Sequence, residues 1–240
     1  MNLWQKTIEG EIFLVDKPYE WSSFDVVKNI KSLFWRTDKT KLKIGHAGTL
    51  DPLATGLLVI CTGKKTKIID RFLNDDKAYS GTICLGATRP SFDRETEIDA
   101  HFDTSAISEQ MIRNMAASFL GEQEQYPPVF SAVKIDGKRA YEKARKGQDV
   151  QVRPRTVHIS RFDITGIEGN LVHFYVKCSK GTYIRSLASD FGKRLNSGAY
   201  LHDLRRERSG DFDVKNAYTM NDLMQLLRDS YTKTQTIPES

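Results

Sequence analysis

The chain has 240 residues, of which 39% are hydrophobic, 10% aromatic and 28% charged, a mix that builds a real core and excludes a disordered, collagenous or coiled-coil chain. That length suits one large domain, or one domain with a short appendage. Lys and Arg number 36 against 31 Asp and Glu, a modest formal excess of +5, and the longest uncharged run, Pro52 to Gly63, is too short to span a bilayer.

In chain order, the residues before Glu11 hold no long apolar run of the secretory kind, so a cytoplasmic protein is expected. Glu11 to Val15 reads as a short strand closed by Asp16-Lys17-Pro18. Ser22 with Asp25 forms a capping-box pattern, and Phe24, Val27, Ile30 and Phe34 then recur at helical spacing. A basic, glycine-rich loop covers Lys41 to Gly56, followed by a strand at Leu57 to Cys61 and a basic helix at Lys64 to Leu73. Ala78 to Leu85 alternates as a strand, with Tyr79, Gly81, Ile83 and Leu85 on one face. Ser108 to Leu120 is a helix with Ile107, Met111, Met115 and Phe119 as its stripe and Gly121 as its stop. Val172, Phe174, Val176 and Cys178 share one face of a strand, and a helix opening at Thr182 carries Ile184, Leu187, Ala188, Phe191 and Leu195. Tyr200 to Ser209 and Tyr218 to Leu227 give a last strand and a last helix. Strands and helices alternate irregularly, which predicts an α+β fold rather than a regular βαβ succession.

Charge is unevenly placed. Val27 to Lys43 holds Lys28, Lys31, Arg36, Lys39, Lys41 and Lys43 against Asp38, and Lys134 to Arg155 is also strongly basic, whereas Ser91 to Gln110 is acidic. The pattern fits a surface facing a polyanion, or simply solvated helix faces, and charge alone does not separate the two. Cys61, Cys84 and Cys178 are odd in number and form no CxxC pair, so they read as structural thiols. The five histidines show no HExxH spacing, and no metal site is expected. Gly63-Lys64-Lys65-Thr66 fails as a phosphate loop, because Leu58 stands at the first glycine position and Lys65 at the hydroxyl position.

The most unusual stretch is Gly45-His46-Ala47-Gly48-Thr49-Leu50-Asp51-Pro52-Leu53-Ala54-Thr55-Gly56. Its glycines allow tight backbone, and Pro52 pushes Asp51 toward extended geometry. A carboxylate is thereby held in a rigid turn before an apolar strand, placed to act as nucleophile or base. A lone Asp-Pro turn would be ordinary; the whole block, with His46 and a basic flank, is not.

On this block the chain resembles the TruB family of tRNA pseudouridine synthases, over about Ile12 to Asp213. Glu11 to Pro18 with Ser22-Ser23, Asp76 to Tyr79, Ser131 to Lys134 with Gly137 and Tyr141, Cys178 to Arg185, and Leu204 to Arg206 are similar to further family blocks in the same order. The resemblance implies a pseudouridine synthase fold, α+β, with a mixed, largely antiparallel central sheet and flanking helices. It implies a catalytic domain over 1–213, with 214–240 as one helix and a polar tail and no separate PUA-type module. Asp51 falls at the nucleophile position, Tyr79 at the active-site tyrosine and Arg185 at the active-site arginine, the expected partner of Asp51. His46, Tyr183 and Leu204 are expected around the substrate, and Lys17 is either structural or a phosphate contact. The stretch Gly86 to Asp93 departs from the family pattern and is expected to be a surface loop.

The implied reaction isomerises uridine 55 of the tRNA T loop by base flipping, with no cofactor, no metal, no membrane and no obligatory protein partner. Candidate phosphate contacts are Lys39, Lys41 and Lys43 ahead of the block, Lys64, Lys65 and Lys67 behind it, and Lys134 to Arg155. Two other classes are open. An RNA-binding protein that has lost catalysis sits poorly with an intact Asp51, Tyr79 and Arg185. A glycoside or nucleoside hydrolase usually needs two carboxylates, and the block offers one.

Overall fold

The computed structural model describes residues 1–128 and 153–235, with 134–135 and 138–139 between them. Most of the basic stretch 134–155, and the motif residues Ser131, Gly137 and Tyr141, lie outside the described residues. The elements run α1 (Leu3–Gly10), β1 (Ile12–Lys17), α2 (Ser23–Asp38), β2 (Ile44–Ala47), β3 (Ala54–Thr62), a 3-10 turn (Gly63–Ile68) and α3 (Ile69–Leu73). There follow β4 (Lys77–Leu85), β5 (Ala87–Thr88), β6 (Ala100–His101), α4 (Glu109–Ser118), β7 (Gly121–Gln125), β8 (Lys134–Ile135), β9 (Lys138–Arg139), β10 (Arg155–Glu168) and β11 (Leu171–Cys178). The chain ends with α5 (Ile184–Arg194), β12 (Ala199–Ser209), β13 (Phe212–Asp213), β14 (Tyr218–Thr219) and α6 (Met220–Gln235). The class is α+β, with mixed, largely antiparallel strand pairing and flanking helices. Two compact units result: Met1–Lys77 with Arg205–Ser240, and Ala78–Leu204.

In the first unit β3 lies between β1 and β2, antiparallel to both, so that Ile60 faces Phe13 on one side and His46 on the other. Its run of Leu, Val and Ile is buried on both faces, which is why it reads as continuous rather than alternating. Ser22 caps α2, and the reciprocal bonds with Asp25 complete the capping box read from the sequence. Val26, Val27, Ile30, Leu33 and Phe34 are the buried stripe of α2, while Phe24, in its first turn, is 67% exposed and lies outside it. Trp4 of α1 stacks on Phe34 at 3.7 Å between ring centroids, and its indole N–H donates to Asp38 at 2.9 Å. The last helix belongs to this core: Met220, Leu223 and Leu227 pack with Trp4, Phe34 and Leu58. Residues 214–235 are thus an integral part of the first unit. The basic segment expected as one helix is instead the 3-10 turn followed by α3, because Ile68 (φ −108°) breaks the helical geometry between them.

In the second unit β10 pairs antiparallel with β11 on one side and β7 on the other. Val172, Phe174, Val176 and Cys178 are buried, as their alternation requires. The expected stripe of helix α4 faces inward only in part: Phe119 is buried and Met115 half-buried, but Met111 is 43% exposed, and Ile112 and Ala116 are buried beside them. A spacing of four recurs on two neighbouring stripes of that helix, and the inward face lies between them, taking Ile112 and Ala116 from one and Phe119 from the other.

Candidate active site

Asp51 sits half-buried in the turn of the β2–β3 hairpin. The Ala54 N–H donates to Asp51 O at 3.1 Å, closing the turn, and the Glu20 N–H donates to Pro52 O at 2.9 Å. Ser23 Oγ accepts the Leu50 N–H at 2.8 Å and stands 3.2 Å from Leu50 O. The first turn of α2 therefore grips the residue just before the carboxylate.

Lys17 is fully buried, and its ammonium donates to the carbonyls of Pro18, Trp21 and Pro52. These contacts support the structural one of its two readings: the side chain ties the end of β1 to the Asp51 turn. Burial pushes its pKa down to about 8, against the pull of the Asp51 carboxylate. The sequence reading gave no role to Arg206, which is 1% exposed. Its Nε donates to Leu57 O at 2.6 Å and its Nη2 to Gly48 O at 3.0 Å. Gly48 (φ +92°) and Gly56 (φ +98°) both need left-handed backbone, and a Cβ on Gly56 would fall 2.3 Å from Arg206 O. The signal for Arg206 was available: period-two alternation along β12 puts it on the face of Leu204, opposite Arg205. Arg205 is half-exposed and forks onto Asp16 at 3.0 and 2.7 Å.

His46, on β2, is half-buried, and its Nδ1 has no hydrogen-bond partner among the described residues. Burial, and then the charge of Arg206, hold its pKa below the ordinary histidine value, which favours the neutral ring.

In the second unit Tyr79 is buried near the start of β4. Arg185 lies in the first turn of α5, 5% exposed, with Nη1 3.3 Å from Ser91 O and Nε 3.6 Å from Asp93 Oδ2. The stretch 86–93 is therefore no mere surface loop. Ser91 and Asp93 are buried, and Asp93 supplies a carboxylate to Arg185 within this unit. Tyr183 caps α5. Its main chain is bound twice by the buried Gln125 amide, at 2.8 and 3.0 Å, and the Arg155 guanidinium stands 5.0 Å from its ring centre. Leu204 is half-buried on β12. Among the described residues no group of three His, Cys, Asp or Glu is placed to hold a metal ion. No helix among them is long and apolar enough to cross a membrane.

Residues 35–184 match the model of the TruB family pseudouridylate synthase N-terminal domain, and residues 185–237 match that of the tRNA pseudouridylate synthase B C-terminal domain. Fold and sequence thus define a pseudouridine synthase, an isomerase acting on tRNA. The chain is 53% identical to tRNA pseudouridine synthase B of Flavobacterium johnsoniae, covering 89% of this chain and 94% of that one. It is 49% identical to the tRNA pseudouridine synthase B of Chloroherpeton thalassium, covering 90% of each. Among solved structures, a chain of a Cbf5-Nop10-Gar1 complex superposes with a TM-score of 0.72 at 30% identity, covering 98% of this chain and 59% of that one. The chain belongs to the TruB family.

Proposed function

We propose that the enzyme converts uridine 55 in the T loop of cytoplasmic tRNA to pseudouridine, with Asp51 as nucleophile and Tyr79 and Arg185 as the other members of the catalytic set. The observation that carries this reading is the Asp51 turn, a carboxylate on a short hairpin fixed by Ser23, Lys17 and Arg206. In the reaction the C1′–N1 bond breaks, the uracil turns, a C1′–C5 bond forms, the C5 proton leaves and N1 takes up a proton. Substrate and product have the same atoms and oxidation state, so the scheme calls for no cofactor and no metal.

The target base leaves its stack to reach the carboxylate. His46, neutral and beside the turn, suits the space the base vacates. Tyr79 offers a ring to stack on uracil and a hydroxyl to assist loss of the C5 proton. Tyr183 and Leu204 line the substrate, and no protein partner is required. Tritium release from C5-labelled uridine in a tRNA transcript, followed by mapping of the modified base, tests the proposal. Release with pseudouridine at position 55 is expected; pseudouridine formed only elsewhere would overturn the site, and no release would overturn the reaction.

A further inference from the structure

The geometry points to Arg206 as a positioning residue that staples the two stems of the Asp51 turn together. This inference rests on the proposed role of Asp51. One guanidinium bonds Gly48 O before the turn and Leu57 O after it, so the nine-residue span between those carbonyls is closed by a single side chain. Ser23 and Lys17 reach the turn from α2 and β1; Arg206 reaches it from β12, across the base of the hairpin.

The root of the side chain is as fixed as its tip. Gly56 lies so close to the Arg206 main chain that a Cβ there would meet Arg206 N at 2.7 Å as well as its carbonyl. Gly48 leaves the guanidinium just enough room, since a Cβ would stand 3.4 Å from Nη1.

A role in folding alone does not account for this arrangement. Arg206 is fully buried, and among the described residues no carboxylate is salt-bridged to it. A buried cation without a counter-charge is costly, and an apolar side chain of similar size often serves stability better. What the guanidinium supplies, and an apolar group does not, is two donors in a fixed fork and a permanent positive charge beside the turn. Lys17 and His46 both feel that charge. A phosphate contact is excluded by its burial.

Arg206→Lys keeps the charge but cannot hold both carbonyls. In this variant kcat for tritium release should fall by about a hundredfold, the scale of a misplacement near 1 Å, with tRNA affinity within about threefold of the parent. Hydrogen exchange on the protein alone should show the amides of 48–57 exchanging about tenfold faster, with α5 unchanged. A variant with a lowered melting temperature but a parental kcat, or with parental exchange over 48–57, would overturn the inference. If Arg206→Lys does not fold, Gly48→Ala strains the same carbonyl with Arg206 intact. It must then lower kcat by about tenfold or more at near-parental affinity, and a parental kcat would again overturn the inference. Should the parent prove inactive on every tRNA, the proposed function falls, while the exchange measurement still decides the staple.

Discussion

The chemistry assigned to Asp51 depends on a carboxylate, not on the shape of the turn that carries it. Asp51→Asn keeps that shape and removes the nucleophile, so turnover should fall by about a thousandfold or more while tRNA affinity stays near the parent value. Turnover within about tenfold of the parent, measured by tritium release, would sink the assignment. Lys17 gives a second test at the same scale. Its pKa falls from 10.5 to about 8 on folding because burial disfavours the ammonium. Below pH 8 both states hold the proton and the burial penalty is fully present. Between about pH 8 and 10.5 the unfolded chain keeps the proton and the native state releases it, so stability rises with pH across that window, at up to about 1.4 kcal/mol per unit. Urea unfolding of the parent and of Lys17→Met at pH 7.5 and 9.5 should therefore show the difference moving in the parent's favour by about 2 kcal/mol. A constant difference would mean that Lys17 keeps its ordinary pKa.

Among the elements, the last helix joins the core of the first unit from beyond the final family block. The final family block ends near Asp213, yet α6 lies beyond it and buries Met220, Leu223 and Leu227 in the core of the first unit. Burying three such side chains is worth about 5–8 kcal/mol, comparable with the whole stability of a typical domain. A chain ending at Asp213 should lose its cooperative thermal transition and near-ultraviolet dichroism; retention of both would show that the helix is dispensable. What the sequence revealed followed from local physics. The capping box at Ser22, the apolar run of β3 and the alternation of β11 each depend on neighbours a few residues away. What it hid depends on long-range contacts: the inward face of α4 is set by the sheet, Asp93 acquires meaning only beside Arg185, and Arg206 only beside Gly48 and Leu57. Lys17 was legible as a motif residue, but the three carbonyls its ammonium meets come from positions that the sequence does not bring together.

For the molecule as an RNA reader, neighbours in sequence are not neighbours in space. Lys41 and Lys43 precede the Asp51 block, and Lys64, Lys65 and Lys67 follow it, but they flank the open end of the β2–β3 hairpin, where the Gly63 N–H donates to Lys43 O at 2.8 Å. From Thr62 back to Ala54, at about 3.3 Å per residue, β3 separates that end from the Asp51 turn by roughly 26 Å. The five side chains are exposed, and among the described residues none is in a salt bridge. If the target is uridine 55, as proposed, an isolated T-arm stem–loop carries it with the phosphates around it, and its catalytic efficiency should lie within about tenfold of full tRNA, a gap of roughly 1.4 kcal/mol. The distant lysines are placed to supply that gap from phosphates farther along the RNA. Lys64→Ala with Lys65→Ala should then bring full tRNA down to the T-arm value and leave the T arm unaffected. For full tRNA the log–log dependence of affinity on salt should become shallower by about 0.7–0.9 for each phosphate that the variant no longer neutralises. Initial rates and affinities for both RNAs at two salt concentrations decide the matter: equal losses on both would place these lysines against the T arm, and no loss on either would remove them from recognition.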